Sequence, residues 1–382
     1  MKVAFNARVL DTQHIRGFSR YTLELLSRLP DHGVRPILYS INPIPDKHLA
    51  TLPAGSFDVH IGGRRHPLLW DQFDWGKQAH RHGADLLHAP GNFGLPVRSK
   101  LPKVLTLHDA IDYVYYLDPM PFRTKLTKGI LISRWLHGSS RIAADHIITD
   151  SEHARGDLIR RFGIRPARLS VTYLAADAKF TPASDAELAR VRKQFQLSNR
   201  YVFYIGGWER RKNVPFLLKA FAAAKLADVD LVLAGGGVHE LRSLQLLGEE
   251  LKLGSQLKFL GRVDDGDLAG LYSGALAFVN PSEYEGFGLQ LCEAMACHTP
   301  TLVANATCLP EVLGDGGAVF PLATTNELAA MLHRLANDDD YRQSLSTAAA
   351  KRSPFFSWDR CAEQTAAIYR TLIAQTGTNA HG

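Results

Sequence analysis

The chain has 382 residues, 46% of them hydrophobic and 21% charged, with 31 glycines and 19 prolines, a usage that excludes collagen, coiled coil and wholesale disorder. One core rarely serves a chain this long, so about two domains are expected, with the crevice between them as the default place for chemistry. The net charge of +6 is uneven: residues 1–182 carry 25 Lys and Arg against 16 Asp and Glu, and residues 183–382 carry 19 against 22, so the first half calls for an anionic partner, lipid headgroups or nucleic acid being the common ones.

In chain order, Met1–Leu10 reads as a short strand. Its Asn6 and Arg8 make it too polar for a signal-peptide core, and no later run approaches the ~18 apolar residues of a membrane span. The segment Ile15-Arg16-Gly17-Phe18-Ser19-Arg20-Tyr21 follows that strand and opens a helix, which puts Gly17 where backbone must approach a ligand closely. The runs RPILYSI, FDVHIGG, ADLLHA, KVLTLHDA, HIITDSE and RLSVTYLA then alternate with amphipathic stretches, the pattern of α/β units on a mainly parallel sheet. Leu107-His108-Asp109 closes one of them. A lone histidine more often has a structural role, but one at the carboxyl end of a strand faces the ligand edge of a doubly wound sheet. The stretch 121–137 mixes Arg123, Lys125, Lys128 and Arg134 with Phe122, Ile132 and Trp135. Such a helix can lie in a membrane interface with its cations on anionic headgroups, or pack on the sheet with a solvated basic face.

Phe180-Thr181-Pro182 closes the first series and DAELARVRKQFQL begins a polar helix, which sets the domain boundary at 182/183. A second series follows, RYVFYIGG, VDLVLAGGG, LKFLGRV, ALAFVNPS, TPTLVANA and GAVFPLA, so two Rossmann-like domains are expected. After its first strand, Gly206-Gly207-Trp208-Glu209-Arg210-Arg211-Lys212-Asn213 combines small residues, cations and a helix start, which suits a diphosphate or a solvated basic turn. Ala234-Gly235-Gly236-Gly237 continues to Glu240 where a dinucleotide fingerprint needs its third glycine, and Asp228-Val229-Asp230 precedes a strand instead of following one, so neither a nicotinamide site nor a metal site is supported. The strongest signal follows ALAFVNP: Ser282-Glu283-Tyr284-Glu285-Gly286-Phe287-Gly288-Leu289-Gln290-Leu291-Cys292-Glu293-Ala294. Gly286 and Gly288 uncover backbone N–H groups at a helix start. Glu285 and Glu293 would stand roughly 12 Å apart on a continuous helix, too far for an acid/base pair on one bond and suited to gripping different rings of one extended ligand. Each also fits a plainer role, a helix N-terminal charge and a surface acid, although Glu293 lies in so apolar a segment that it needs a partner. The four cysteines, Cys292, Cys297, Cys308 and Cys361, form no Cys-x-x-Cys pair, which argues against a disulfide framework or zinc knuckle and for a reducing cytoplasm.

Taken together, EGFGLQLCE, GGWERRKN, LHD and RGFSRYT resemble the retaining glycosyltransferases of family 4, mannosyltransferase-like members of the GT-B fold, over nearly the whole length. The resemblance implies two Rossmann-like domains with parallel sheets facing a cleft: residues 1–182 for the acceptor, 183–355 for the nucleotide sugar, and a closing helix in 356–382 that returns to the first domain. It implies that Glu285 holds the donor sugar, Glu293 the ribose, Arg211 and Lys212 the diphosphate, Arg262 and Val263 the base, and His108 the sugar near the reacting bond, with Gly17, Gly207, Gly286, Phe287 and Gly288 lining the donor. Where many members carry Gly-Arg before the basic loop this chain has Gly207-Trp208, so Arg211 takes over that phosphate contact. Gln290 and His298 stand where Pro and Gly are more usual. The implied reaction is a metal-free, cofactor-free front-face transfer of a hexose, mannose from GDP-mannose, to a glycan or lipid-linked acceptor in surface-polysaccharide assembly. The implied setting is the cytoplasm, at the inner face of the membrane, and nucleic acid is set aside as a partner. The rivals are a nucleotide-sugar isomerase or hydrolase of the same fold and a non-catalytic binding module.

Overall fold

The computed structural model describes residues 1–13, 15, 17–117 and 128–379. Contacts divide the chain into two units, Met1–Leu174 with Ser357–Gly382, and Ala175–Phe356. The division falls at 174/175 and not at 182/183. Phe180, expected to end the first domain, is buried edge-on against Tyr272 of the second unit at 5.9 Å, and Lys179 pairs with Asp265 at 2.6 Å.

The first unit holds a seven-stranded sheet with every pairing parallel, β1 Lys2–Asn6, β2 Arg35–Ser40, β3 Asp58–Ile61, β4 Leu86–Ala89, β5 Lys103–Thr106, β6 His146–Thr149 and β7 Leu169–Val171, in the order β3-β2-β1-β4-β5-β6-β7. The second holds six, β8 Tyr201–Gly206, β9 Asp230–Gly235, β10 Leu257–Gly261, β11 Ala277–Asn280, β12 Thr301–Ala304 and β13 Ala318–Phe320, in the order β10-β9-β8-β11-β12-β13, again all parallel. Each run singled out by composition contains one of these strands. Strands buried on both faces must be apolar throughout, as Val3-Ala4-Phe5 and Leu231-Val232-Leu233-Ala234 are, all with no exposed surface.

Local signals set the helix ends. The Ser151 side chain accepts from the Ala154 N–H to start Glu152–Phe162, which left-handed Gly163 stops, and Ser184 accepts from Glu187 N–H to start Asp185–Phe195. In the first unit Trp70, Trp75, Tyr39, Leu87, Leu105 and Ile147 share one core. The closing helix Trp358–Asn379 packs on the helix Gly17–Arg28 of the same unit. Arg28 Nε donates to Asp359 Oδ1 at 2.8 Å, and Tyr369 Oη meets His88 Nδ1, on β4, at 2.6 Å.

Both strand orders reverse direction beside their first strand, between β1 and β4 and between β8 and β11. Loops leaving adjacent strands at such a point run to opposite sides of the sheet and open a crevice for ligand. Arg8 in the first unit, and Arg211, Lys212 and Glu285 in the second, lie there.

Candidate active site

In the second unit the loop after β8 brings Arg210–Lys212 as one tight turn, and left-handed Asn213 (φ 53°) hands over to the helix Val214–Ala224. The loop after β11 brings Ser282 to Gly288. The two loops are tied by a buried ion-pair cluster. Lys212 Nζ donates to Glu285 Oε1 at 2.6 Å, Arg211 Nη1 to Glu285 Oε2 and to the Tyr284 carbonyl at 3.2 Å each, Ser282 Oγ to Glu285 Oε1 at 2.8 Å, and the Glu283 N–H to the Arg211 carbonyl at 2.7 Å. Glu285 is 6% exposed. Burial alone would push its carboxyl up, but Lys212, Arg211 and Ser282 outweigh it and hold the group below the usual carboxylate range. Within the buried cluster two cations, Arg211 and Lys212, share the one carboxylate of Glu285, which leaves one net positive charge there for an anion.

Glu293 lies on the helix Leu289–Ala296, and Tyr272 Oη supplies the partner that its apolar surroundings demand, at 2.8 Å. Glu285 lies before that helix, in non-helical chain, so the roughly 12 Å spacing of a continuous helix does not apply. Gly288 caps the helix at φ 83°, and an added Cβ would lie 3.2 Å from Leu291 and from Leu309. Phe287, placed with the donor contacts by resemblance, turns its ring into the core edge-on to Phe356 at 5.8 Å, leaving its backbone for the loop. Arg262 is exposed and Val263 half-buried beyond the end of β10. Gly207 lies under the Glu209 carboxylate. The glycine run after β9 has its own explanation: a Cβ on Gly235 would strike the Gly206 carbonyl, and one on Gly236 the ring of Trp208. Asp228 and Asp230 serve the opposite end of the sheet, Asp228 pairing with Arg200 at 2.7 Å and Asp230 accepting from Ser198 N–H at 2.8 Å.

In the first unit His108 follows β5 and is buried. Its Nδ1 meets Asp150 Oδ2 at 2.7 Å, its Nε2 the Pro90 carbonyl at 3.1 Å, and its backbone N–H donates to Asn92 Oδ1 at 3.0 Å. Two acceptors on the two ring nitrogens fit an imidazolium. Burial works against the charge, yet Asp150 and the Pro90 carbonyl raise the group above the ordinary histidine value. Phe18 stacks on the ring at 4.6 Å and Tyr21 meets it edge-on at 5.0 Å. Neighbouring His88 is the opposite case, pushed down to about 3 by burial and by His108, and held neutral between Thr106 Oγ1 and Tyr369 Oη. Gly17 opens its helix with no protein atom within 4 Å of an added Cβ, so the fold itself makes no demand for glycine there.

Residues 15–180 match the family described as Glycosyltransferase Family 4, and residues 185–352 that described as Glycosyl transferases group 1. The O-antigen chain mannosyltransferase B of Escherichia coli is 32% identical, over 94% of this chain and 97% of its own length. The chain belongs to the family 4 glycosyltransferases. Solved structures give the GT-B fold: sucrose-phosphate synthase of Thermosynechococcus elongatus superposes with a TM-score of 0.74 at 21% identity, over 98% of this chain and 99% of its own. HepE of Anabaena, solved in complex with UDP and glucose, gives 0.72 at 19% identity, over 96% and 98%.

Several residues of this glycosyltransferase site escaped the reading of motifs. Tyr272 and Asp150 are the hydrogen-bond partners of Glu293 and His108, Thr307 Oγ1 accepts from the Glu285 N–H at 3.1 Å, and Ser282, inside the motif but without an assigned role, donates to Glu285. Thr307 carries a signal only in its backbone, a positive φ of 50° in a β-branched residue. Arg123 and Lys125, proposed to touch membrane, lie outside the described residues. Arg134 and Trp135 are exposed on the helix Lys128–Ala143.

Proposed function

We propose that this glycosyltransferase moves mannose from GDP-mannose to a glycan or lipid-linked saccharide in surface-polysaccharide assembly, with retention at the anomeric carbon and no metal ion. The observation that carries the reading is the cationic cluster at the switch point of the second sheet, Lys212 and Arg211 on buried Glu285. A leaving nucleoside diphosphate bears about two negative charges, and fixed cations that are already desolvated stabilise them as the glycosidic bond breaks. In this reading Arg211 and Lys212 take the diphosphate, Glu285 the donor sugar, Glu293 the ribose, and Arg262 with Val263 the base. Gly17, Gly207, Gly286, Phe287 and Gly288 line the donor through their backbone. His108 lies against the sugar near the reacting bond and, with both ring nitrogens held by Asp150 and the Pro90 carbonyl, is not a base, so the departing phosphate takes the acceptor's proton in a front-face substitution. The first unit receives the acceptor. Mannose is favoured by the Arg211-Lys212-Asn213 form of the loop and by the activity named for the Escherichia coli relative.

The enzyme works at the inner face of the membrane. Among the described residues no helix is long and apolar enough to cross a membrane, and a peripheral attachment is supported by an apolar groove of about 640 Å³ beside Trp135, lined by Leu69, Phe73 and Val97 with Lys77 and Arg98 among them. A thermal-shift screen of GDP-mannose, UDP-glucose and a dTDP-sugar tests the donor, since a bound donor raises the melting temperature with concentration. Product analysis with EDTA tests the reaction. Nucleotide release that requires the acceptor supports transfer, release from donor alone makes the protein a hydrolase, and strict dependence on a divalent ion removes the metal-free route.

A further inference from the structure

At the switch point of the first sheet, beside β1, lies a cavity of about 260 Å³ lined by Asn6, Arg8, Val9, Phe18, Gly91 and Phe93. Its floor is built. Arg8 Nη1 donates to both carboxylate oxygens of Asp71 at 2.9 Å, and Asn6 Nδ2 donates to Asp71 Oδ1 and to the Gly94 carbonyl at 3.0 Å each. The Asp71 side chain is 1% exposed and that of Arg8 21%. Gly94 (φ 110°) permits the approach, because a Cβ there would collide with Asn6 Nδ2. The Nε and Nη2 donors of Arg8 have no protein partner among the described residues, and Arg8 lines the cavity. Phe18, 40% exposed, is a wall of this cavity on one side and stacks on His108 on the other.

We infer that this cavity is the subsite for the acceptor's terminal sugar, and that it selects a neutral pyranose over a phosphorylated or carboxylated one; the inference rests on the reading that the first unit receives the acceptor. Size is the first argument, because pockets for drug-sized molecules begin at about 300 Å³, so this one takes a single ring. Charge is the second. Asp71 already neutralises Arg8, so the floor offers hydrogen-bond donors without net charge, and a neutral hydroxyl accepts them where an anion would gain no excess cation. Shape is the third: Phe18 and Phe93 offer aromatic faces to the apolar C–H side of a pyranose while its hydroxyls turn to Arg8. The second unit's loop, with its spare positive charge, is the contrast.

The test is saturation-transfer NMR on the full chain with methyl pyranosides of mannose, glucose and galactose, and with mannose 6-phosphate. The wild type should saturate the ring protons of at least one neutral glycoside in preference to the phosphate. Arg8→Gln and Phe18→Ala should each weaken that binding by about tenfold, the effect of one charge-assisted hydrogen bond or of one lost stacking face, while calorimetric binding of GDP or UDP stays unchanged. Asp71→Asn should reverse the preference toward mannose 6-phosphate by uncovering the charge of Arg8. Should Asp71→Asn or Arg8→Gln fail to fold, Phe18→Ala, at an exposed ring, still decides. The inference is overturned if no neutral glycoside binds, if binding survives both Arg8→Gln and Phe18→Ala, or if the wild type prefers the phosphate. Loss of nucleotide binding by the wild type would instead strike the donor reading and leave the glycoside result legible.

Discussion

The two sheets share one topology and carry opposite electrostatics at the same topological place. Beside β8 and β11, two cations of one loop share one buried carboxylate, Glu285 being held by Lys212 at 2.6 Å and Arg211 at 3.2 Å. In the first unit the two ion pairs are one to one: Arg8, just after β1, with Asp71 at 2.9 Å, and His108, just after β5, with Asp150 at 2.7 Å. Strand order decides where a ligand sits, whereas the balance of buried charge decides what kind it is. One site is left cationic for a diphosphate, the other neutral with aromatic walls.

The comparison breaks most visibly at Lys212. Replacing it with alanine leaves a buried carboxylate with only Arg211 opposite, and removing one partner of a buried pair costs about 3–5 kcal/mol of stability. Lys212→Ala should therefore lower the denaturation midpoint of the second unit and weaken nucleoside-diphosphate binding by about 1.5–3 kcal/mol, the range for a hydrogen bond to a charged group. Chemical denaturation and calorimetry read the two effects. Unchanged diphosphate affinity would mean that the net positive charge is not a binding charge.

Next in size is the division between the two glutamates. Glu293→Ala should weaken nucleotide binding by about 1.5–3 kcal/mol, and Tyr272→Phe, which removes the hydroxyl held at 2.8 Å on Glu293, should reproduce part of that loss. Glu285→Ala should chiefly lower kcat. Equal loss of nucleotide affinity in the two glutamate variants would refute separate roles for ribose and sugar.

How far the sequence could be read follows the same line between topology and charge. The strands were legible because a parallel sheet buried on both faces leaves nothing but apolar runs, and Glu285, Lys212 and His108 were legible because they stand just beyond such runs. What was not legible was pairing across distance. Lys212 and Glu285 are 73 positions apart and His108 and Asp150 are 42, and no local pattern joins them. The boundary at 182/183 failed for a related reason: a proline punctuates the backbone at residue 182, but Phe180 packs with Tyr272, a contact that only the tertiary fold creates. Trp208 shows the same limit: it stands where an arginine is more usual, and its packing against Gly236 and edge-on to Phe259 at 5.6 Å is a contact that no local pattern announces.

The two sites should also part in pH. The raised value of His108 means that its ion pair with Asp150 contributes fully below the ordinary histidine pKa of about 6.5 and is lost as pH rises through the higher folded value. The lowered value of Glu285 has the opposite sense, its contribution being present above the ordinary carboxylate range and lost as pH falls through the folded value. Asp150→Asn should cost about 1–3 kcal/mol near pH 6 and progressively less toward pH 9. An imidazole NMR titration should show His108 falling toward or below its ordinary value in the variant. A stability difference that does not change with pH would show that Asp150 holds a neutral ring.

The smallest expected effect concerns the surfaces, where the halves of the sequence differ as the two sites do but with the signs exchanged: the first half carries the excess of cations. On the helix Lys128–Ala143 the exposed Trp135, at 49%, stands beside exposed Arg134, with Leu131 exposed at 46%, a pairing of apolar ring and cation that suits an interface. Each cation near an anionic membrane contributes about 1 kcal/mol, and salt screens it within about 10 Å at 0.1 M. Arg134→Gln should thus reduce co-sedimentation with anionic vesicles about fivefold at low salt and hardly at all at high salt. Trp135→Ala should weaken it at both, because burial of an indole is not screened. Changing Arg123, Lys125, Lys128 and Arg134 together to Gln should remove the salt dependence altogether while leaving nucleotide binding by the second unit intact. Sedimentation that is equal with neutral and anionic vesicles, or absent with both, would eliminate electrostatic docking and leave the cationic excess of the first half without a membrane role.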